Sequence, residues 1–136
     1  MRAVDTNLLV RLLTRDDERQ AGAAEAFVAR GAWVSHLVLA ETIWVLDSVY
    51  ELDAAGLARA VELLLRHRDL SLQEPEVVRR ALALYRKRPS LGFSDCLVLE
   101  VARKAGHLPL GTLDRGLGKA EGAELLVGGG ARSGRR

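Results

Sequence analysis

The sequence predicts an α/β protein with a mostly parallel sheet of four to five strands. Short apolar runs alternate along it with longer stretches of helical period, and acidic, proline or glycine residues punctuate the joints. Residues 2–4 read as a first strand. A helix follows through Leu8, Leu9, Leu12 and Leu13, and a second over residues 16–29 opens on an acidic turn. Residues 32–34 form the next strand. A very apolar helix over residues 36–50 then sets Leu37, Ala40 and Trp44 on one stripe and Val38, Glu41, Val45 and Ser48 on its neighbour. Most of that helix is expected in the core, and so are Trp33, Trp44 and the Leu37 stripe; any excess of apolar surface would serve dimerisation. A helix over residues 53–66 precedes a short strand at 69–72, and Pro75 suits the first position of the helix after it. That helix ends near Arg86-Lys87-Arg88-Pro89. Residues 90–92 link it to a helix with Ser94 as N-cap and Gly106 as stop signal. Residues 109–113 and 125–127 read as the fourth and fifth strands. Residues 1–127 thus form one domain, and the glycine-rich basic residues 128–136 are expected to be a flexible tail.

Composition narrows the function classes. A hydrophobic share of 49% with 28% charged residues fits a folded chain rather than a disordered one, and 136 residues suffice for a single core. No apolar run approaches the ~20 residues that cross a bilayer, and no signal-peptide pattern opens the chain, so a cytoplasmic protein without a membrane partner is expected. Cys96 is the only cysteine and lies in an apolar run, which reads as buried packing rather than a reactive thiol. The net charge is +2, but arginine outnumbers lysine, a composition that permits phosphate contacts without requiring them.

Four carboxylates stand out. Asp5, Glu41, Asp95 and Asp114 lie in Ala-Val-Asp-Thr-Asn, Val-Leu-Ala-Glu-Thr-Ile-Trp, Gly-Phe-Ser-Asp-Cys-Leu and Gly-Thr-Leu-Asp, all otherwise apolar or uncharged. A buried anion is costly without a cation, so four of them in core-like surroundings ask for a shared one. Ligand sites of open parallel sheets gather beyond the carboxyl ends of the strands. Asp5 follows the first strand, Asp114 follows the fourth, and Asp95 opens the helix leading into the fourth. Glu41 lies about two turns into the helix after the second strand, within reach of that rim. Crowded carboxylates repel, and a divalent ion relieves them. All-oxygen ligation selects Mg²⁺ or Mn²⁺ over zinc, which would bring His or Cys. Taken singly, three of the acids have plainer roles: Asp5 as a helix N-cap, Asp95 as complement to a helix dipole, and Asp114 at a tight turn with Arg115 and Gly116. Glu41 is harder to dismiss, being the only Asp, Glu, Lys or Arg between Arg30 and Asp47, with no basic residue at i+3 or i+4.

These residues resemble the PIN-domain ribonucleases, and within them the VapC-type toxins of prokaryotic toxin-antitoxin pairs. The likeness runs nearly end to end: Val-Asp-Thr-Asn-Leu-Leu-Val-Arg-Leu-Leu, Val-Leu-Ala-Glu-Thr, Gly-Phe-Ser-Asp-Cys-Leu and Thr-Leu-Asp-Arg-Gly-Leu stand in the family's order. The resemblance implies a three-layer α/β/α sandwich, with Asp5, Glu41, Asp95 and Asp114 as the catalytic, metal-binding quartet. It further implies Asn7 as a polar brace for the first acid and Thr112 as a hydroxyl beside the site. A homodimer and a cognate antitoxin covering the acidic cleft belong to the same implication. Ser94 departs from a common alanine, a change that should leave metal binding undisturbed.

The expected activity is hydrolysis of RNA phosphodiester bonds, with one or two Mg²⁺ ions, or Mn²⁺, gripping the scissile phosphate and lowering the pKa of an attacking water. Asp5 and Asp95 are the principal ligands in this reading, with Glu41 positioning the metal or water and Asp114 completing the set. Arg11 and Arg115 are candidates for the substrate backbone, and the Arg86-Lys87-Arg88 run and Arg132, Arg135 and Arg136 are more distant ones. His36 near the rim reads as a capping or packing residue. Two rivals remain. A haloacid-dehalogenase-like phosphatase would need a second acid two residues after Asp5, where Asn7 stands. A non-catalytic PIN-like module that binds RNA or protein would gain nothing from an anionic cluster facing phosphates.

Overall fold

Side-chain caps set most of the helix starts. The computed structural model describes residues 1–127, and the basic tail expected at 128–136 lies outside the described residues. Strand β1 (Arg2–Ala3) leads into α1 (Thr6–Thr14), whose N-cap Asp5 accepts the amide of Leu8 at 2.9 Å. Helix α2 (Glu18–Val28) is capped in the same way by Asp17, and α3 (His36–Ser48), after strand β2 (Ala32–Val34), by Ser35. Asp53 caps α4 (Ala54–Arg66), which precedes β3 (Leu70–Leu72). Helix α5 (Pro75–Lys87) begins on its proline as expected.

A short 3₁₀ turn (Pro89–Leu91) then joins α5 to α6 (Phe93–Ala105). Here Ser94 is not the N-cap: the helix starts one residue earlier, behind Gly92 at φ 81°, a backbone geometry that suits glycine. Phe93 is buried against Tyr85, edge to face at 6.0 Å, and that packing fixes the start where no hydroxyl does. Gly106, at φ 84°, ends α6 as expected. Strand β4 (Leu110–Thr112), the short helix α7 (Arg115–Gly118) and β5 (Ala123–Leu125) complete the described residues. The tight turn expected at Asp114 is therefore a helix start, and the fifth strand lies two positions earlier than the apolar run indicated.

Every strand pairing among the described residues is parallel. The strands form an α/β sandwich in which the ladder falls into two hydrogen-bonded groups, β1-β2-β3 and β4-β5. With strands only two or three residues long, side-chain packing rather than a continuous ladder unites the groups. One core cluster runs from Val4, Val34 and Leu72 through Leu39, Val61, Val78 and Leu99 to Leu117 and Ala120. Cys96 is fully buried in it, and burial pushes its thiol pKa up to about 11.

Helix α3 departs from the expectation of near-complete burial. Its buried stripe is Leu39, Thr42, Ile43 and Leu46, while Leu37 is 72% and Trp44 63% exposed. Trp33, at 38%, is exposed too. The helix is apolar around most of its circumference, so periodicity could not choose its inward face.

Replacing the fully buried Leu39 with alanine should cost about 2–5 kcal/mol of stability, read as a lower urea midpoint at unchanged slope. Leu37→Ala, one helical face away, should change it by less than ~0.5 kcal/mol.

Candidate active site

Each acid is held by a local backbone feature. Asp5 uses Oδ1 to cap α1, which leaves Oδ2 free. From the next position the hydroxyl of Thr6 donates to Glu41 Oε1 at 2.7 Å, tying the head of α1 to the middle of α3. Asp114 accepts the amide of Leu117 on Oδ2 at 2.8 Å, and its own amide donates to the hydroxyl of Thr112 at 3.0 Å. Asp95 lies in the first turn of α6. Burial, and after it the charge of Asp114, raises its pKa above the usual carboxylate range.

These contacts tie the acids to the frame one by one. Thr6 joins the head of α1 to Glu41, and Asp95 feels Asp114. As the side chains stand, no three His, Cys, Asp or Glu residues among the described residues come close enough to hold one metal ion. The expected burial is also corrected: Asp5, Glu41 and Asp114 are exposed and Asp95 is half-buried. Apolar neighbours in sequence belong to the inner faces of the helices, while the acids occupy the rim, where cap amides and water solvate them. None of the four has a basic partner within ion-pair distance among the described residues. In chemistry the donor set fits a hard divalent cation: it is all oxygen, uncompensated, and one oxygen stays free on each hydrogen-bonded acid.

Glu41 also forms one wall of an open groove of about 450 Å³ between α1 and α3, with Thr6, Asn7, Arg11, Trp44 and Tyr50 among its lining. A larger cavity of about 600 Å³, lined by Ala54, Arg59, Tyr85 and Arg86 between α4 and α5, contains none of the four acids.

Of the supporting residues, Thr112 accepts the Asp114 amide on its hydroxyl. Asn7, expected to brace Asp5, is exposed, and the hydroxyl bonded to Glu41 is that of Thr6. The hydroxyl beside Asp5 was visible in the sequence, but nothing there pointed it at a residue thirty-five positions away. Arg11 is committed elsewhere: Nη1 lies 2.8 Å from Asp16 Oδ1, and Nε donates to Gln20 at 2.6 Å. Arg115 is exposed at the head of α7. His36 is half-buried at the first turn of α3, its amide donating to Gln73 Oε1.

Compared with known families, the chain matches the PIN domain over residues 2–123, and it belongs to that family. PIN domains are typically nucleases acting on phosphodiester bonds, generally with divalent metals, and RNA is the substrate that such a nuclease implies. The match displaces the haloacid-dehalogenase alternative. Compared with curated proteins, the chain matches none. No helix among the described residues is long and apolar enough to cross a membrane.

The Arg11 cluster makes a pH prediction. The Tyr50 hydroxyl, donating at 2.6 Å, holds Asp16 down at about 2, helped by the Thr14 hydroxyl and Arg11. A carboxylate depressed in the folded state contributes stability above its unfolded pKa near 3.8 and loses it as pH falls toward 2. Tyr50→Phe should therefore lower the melting temperature at pH 6, and the gap to the parent should close between pH 4 and pH 2. A gap of constant size would contradict the assignment.

Proposed function

We propose that the chain is a metal-dependent ribonuclease that hydrolyses RNA phosphodiester bonds and acts as the toxin of a toxin-antitoxin pair. The observation that carries this reading is the set of four acids at helix starts and on α3, none with a basic partner within ion-pair distance among the described residues, in a chain of the PIN family. Asp5 and Asp95 would hold Mg²⁺ or Mn²⁺, with Glu41 and Asp114 completing the set. A bound ion supplies Lewis-acid charge to the scissile phosphate and favours ionisation of water.

The chain's own residues do the rest. The caps at Asp5 and Asp114 fix two carboxylates by one oxygen and present the other, and Thr6 orients Glu41. Burial, and after it the charge of Asp114, raises the pKa of Asp95, and a nearby cation would favour its ionised form. Arg115 at the rim offers a cation to the substrate backbone. Arg11 contributes instead to the frame between α1 and α3. The exposed Leu37 and Trp44 support the homodimer, and the antitoxin is a partner in the cytoplasm.

Purified protein and a mixed RNA pool test this. Cleavage should require Mg²⁺ or Mn²⁺, stop with EDTA, and fall below detection in Asp5→Asn and Asp95→Asn, both still folded. Cleavage by Asp5→Asn at the parent's rate would overturn the assignment. Induction in a bacterial host should arrest growth for the parent and not for Asp95→Asn.

That no three acids close around one ion among the described residues favours one second reading, a non-catalytic PIN-like module for RNA or protein. Millimolar Mn²⁺ decides between them: a nuclease site gains several degrees of melting temperature, and an inert module gains none.

A further inference from the structure

Four anions at the rim repel an RNA backbone unless cations offset them, and half of the arginines among the described residues are already paired with carboxylates. Among the described residues three are half-buried: Arg11, Arg88 and Arg103. Arg11 pairs with Asp16 at 2.8 Å and Arg103 with Glu100 at 3.1 Å. Arg86, next to Arg88 but for Lys87, is held by Glu62 at 2.6 Å. Arg88 alone among the half-buried three has no carboxylate partner among the described residues.

Its position is informative. Arg88 closes α5, and its Nη2 donates to the carbonyl oxygen of Gly116 at 3.3 Å. Gly116 belongs to α7, the short helix capped by Asp114. A Cβ built on Gly116 would stand 3.3 Å from Asp114 Oδ2 and 3.7 Å from Leu91 of the 3₁₀ turn. The guanidinium is thus anchored by one of its five donors to the residue that abuts an acid of the site, and among the described residues its other donors have no partner. Its half-buried stem also leaves less rotamer freedom to lose on binding than an exposed arginine has.

We propose that Arg88 is a substrate-binding residue that grips an RNA phosphate beside Asp114. This rests on the ribonuclease reading and deepens it. A guanidinium suits the role because its planar fork meets two phosphate oxygens at once, which a lysine cannot do. Arg88 thereby replaces Arg11 as the inner cation of the site, and the exposed Arg115 remains an outer one.

The test is RNA binding in an Asp95→Asn background with Mg²⁺ present, so that binding is read without cleavage. Arg88→Met should weaken affinity about tenfold or more and reduce the slope of log affinity against log salt by about 0.7, the value for one phosphate contact on a single strand. Arg88→Lys should keep the parent's slope and recover only part of the affinity. Unchanged affinity and slope in Arg88→Met overturns the proposal. So does a lower melting temperature with an unchanged slope, which would make Arg88 only a brace for α7. Cleavage of the same pool by the parent separates the two levels: if the parent cleaves, those outcomes remove Arg88 alone, and if it neither binds nor cleaves, the nuclease reading falls as well.

Discussion

Uncompensated negative charge held by backbone amides is the constraint on which this molecule turns. Asp5 and Asp114 cap helices, and Asp95 occupies the first turn of another, where the partial positive charge of the helix start favours a carboxylate. The amides supply enough stabilisation to keep these anions in place without arginine or lysine. A salt bridge would have fixed the same side chains equally well and left them no attraction for a further cation. By contrast, Asp16, Glu62 and Glu100, away from the four acids, are each paired with arginine.

The same constraint governs the spacing of the site. Each cap consumes one carboxylate oxygen and limits how far the side chain can swing, so the spacing of the acids is set by how α1, α3, α6 and α7 pack. The strands contribute little to that spacing, since their ladders fall into two groups. The continuous core from Leu9 and Leu39 to Leu99 and Leu117 contributes most of it. Substitutions in this core would then alter the site's span before they unfold the chain.

Much of this was legible in the sequence because local rules and the fold agree. The second strand, Pro75 at a helix start and Gly106 at a helix end follow from chemistry confined to a few neighbouring residues. The acids were legible as odd charges in apolar segments, but the inference that they are buried was wrong, because apolar neighbours along a helix face other directions. Helix α3 failed for a related reason: apolar on most sides, it offered no contrast by which Leu37 and Trp44 could be read as outward. Ser94 lost the cap to Gly92, where the ring of the next residue, Phe93, packs on Tyr85, and no local pattern reports such a contact. Thr6 and Arg88 were hidden more deeply, since their partners Glu41 and Gly116 lie far along the chain.

Because fold and chemistry share the same atoms at Asp5 and Asp114, the choice of substitution decides what can be learned. Alanine would remove the cap acceptor and the charge together, so that lost activity would not distinguish a frayed helix from a missing ligand. The outcome would say little about catalysis. Asparagine caps a helix about as well as aspartate while carrying no charge, so it separates the two roles. At Asp95, which caps nothing, removing the charge also removes repulsion from Asp114, and the metal-free protein should gain stability where the capping positions gain little. Opposite movements of stability and activity at that one position would identify a charge retained for chemistry against the interest of the fold.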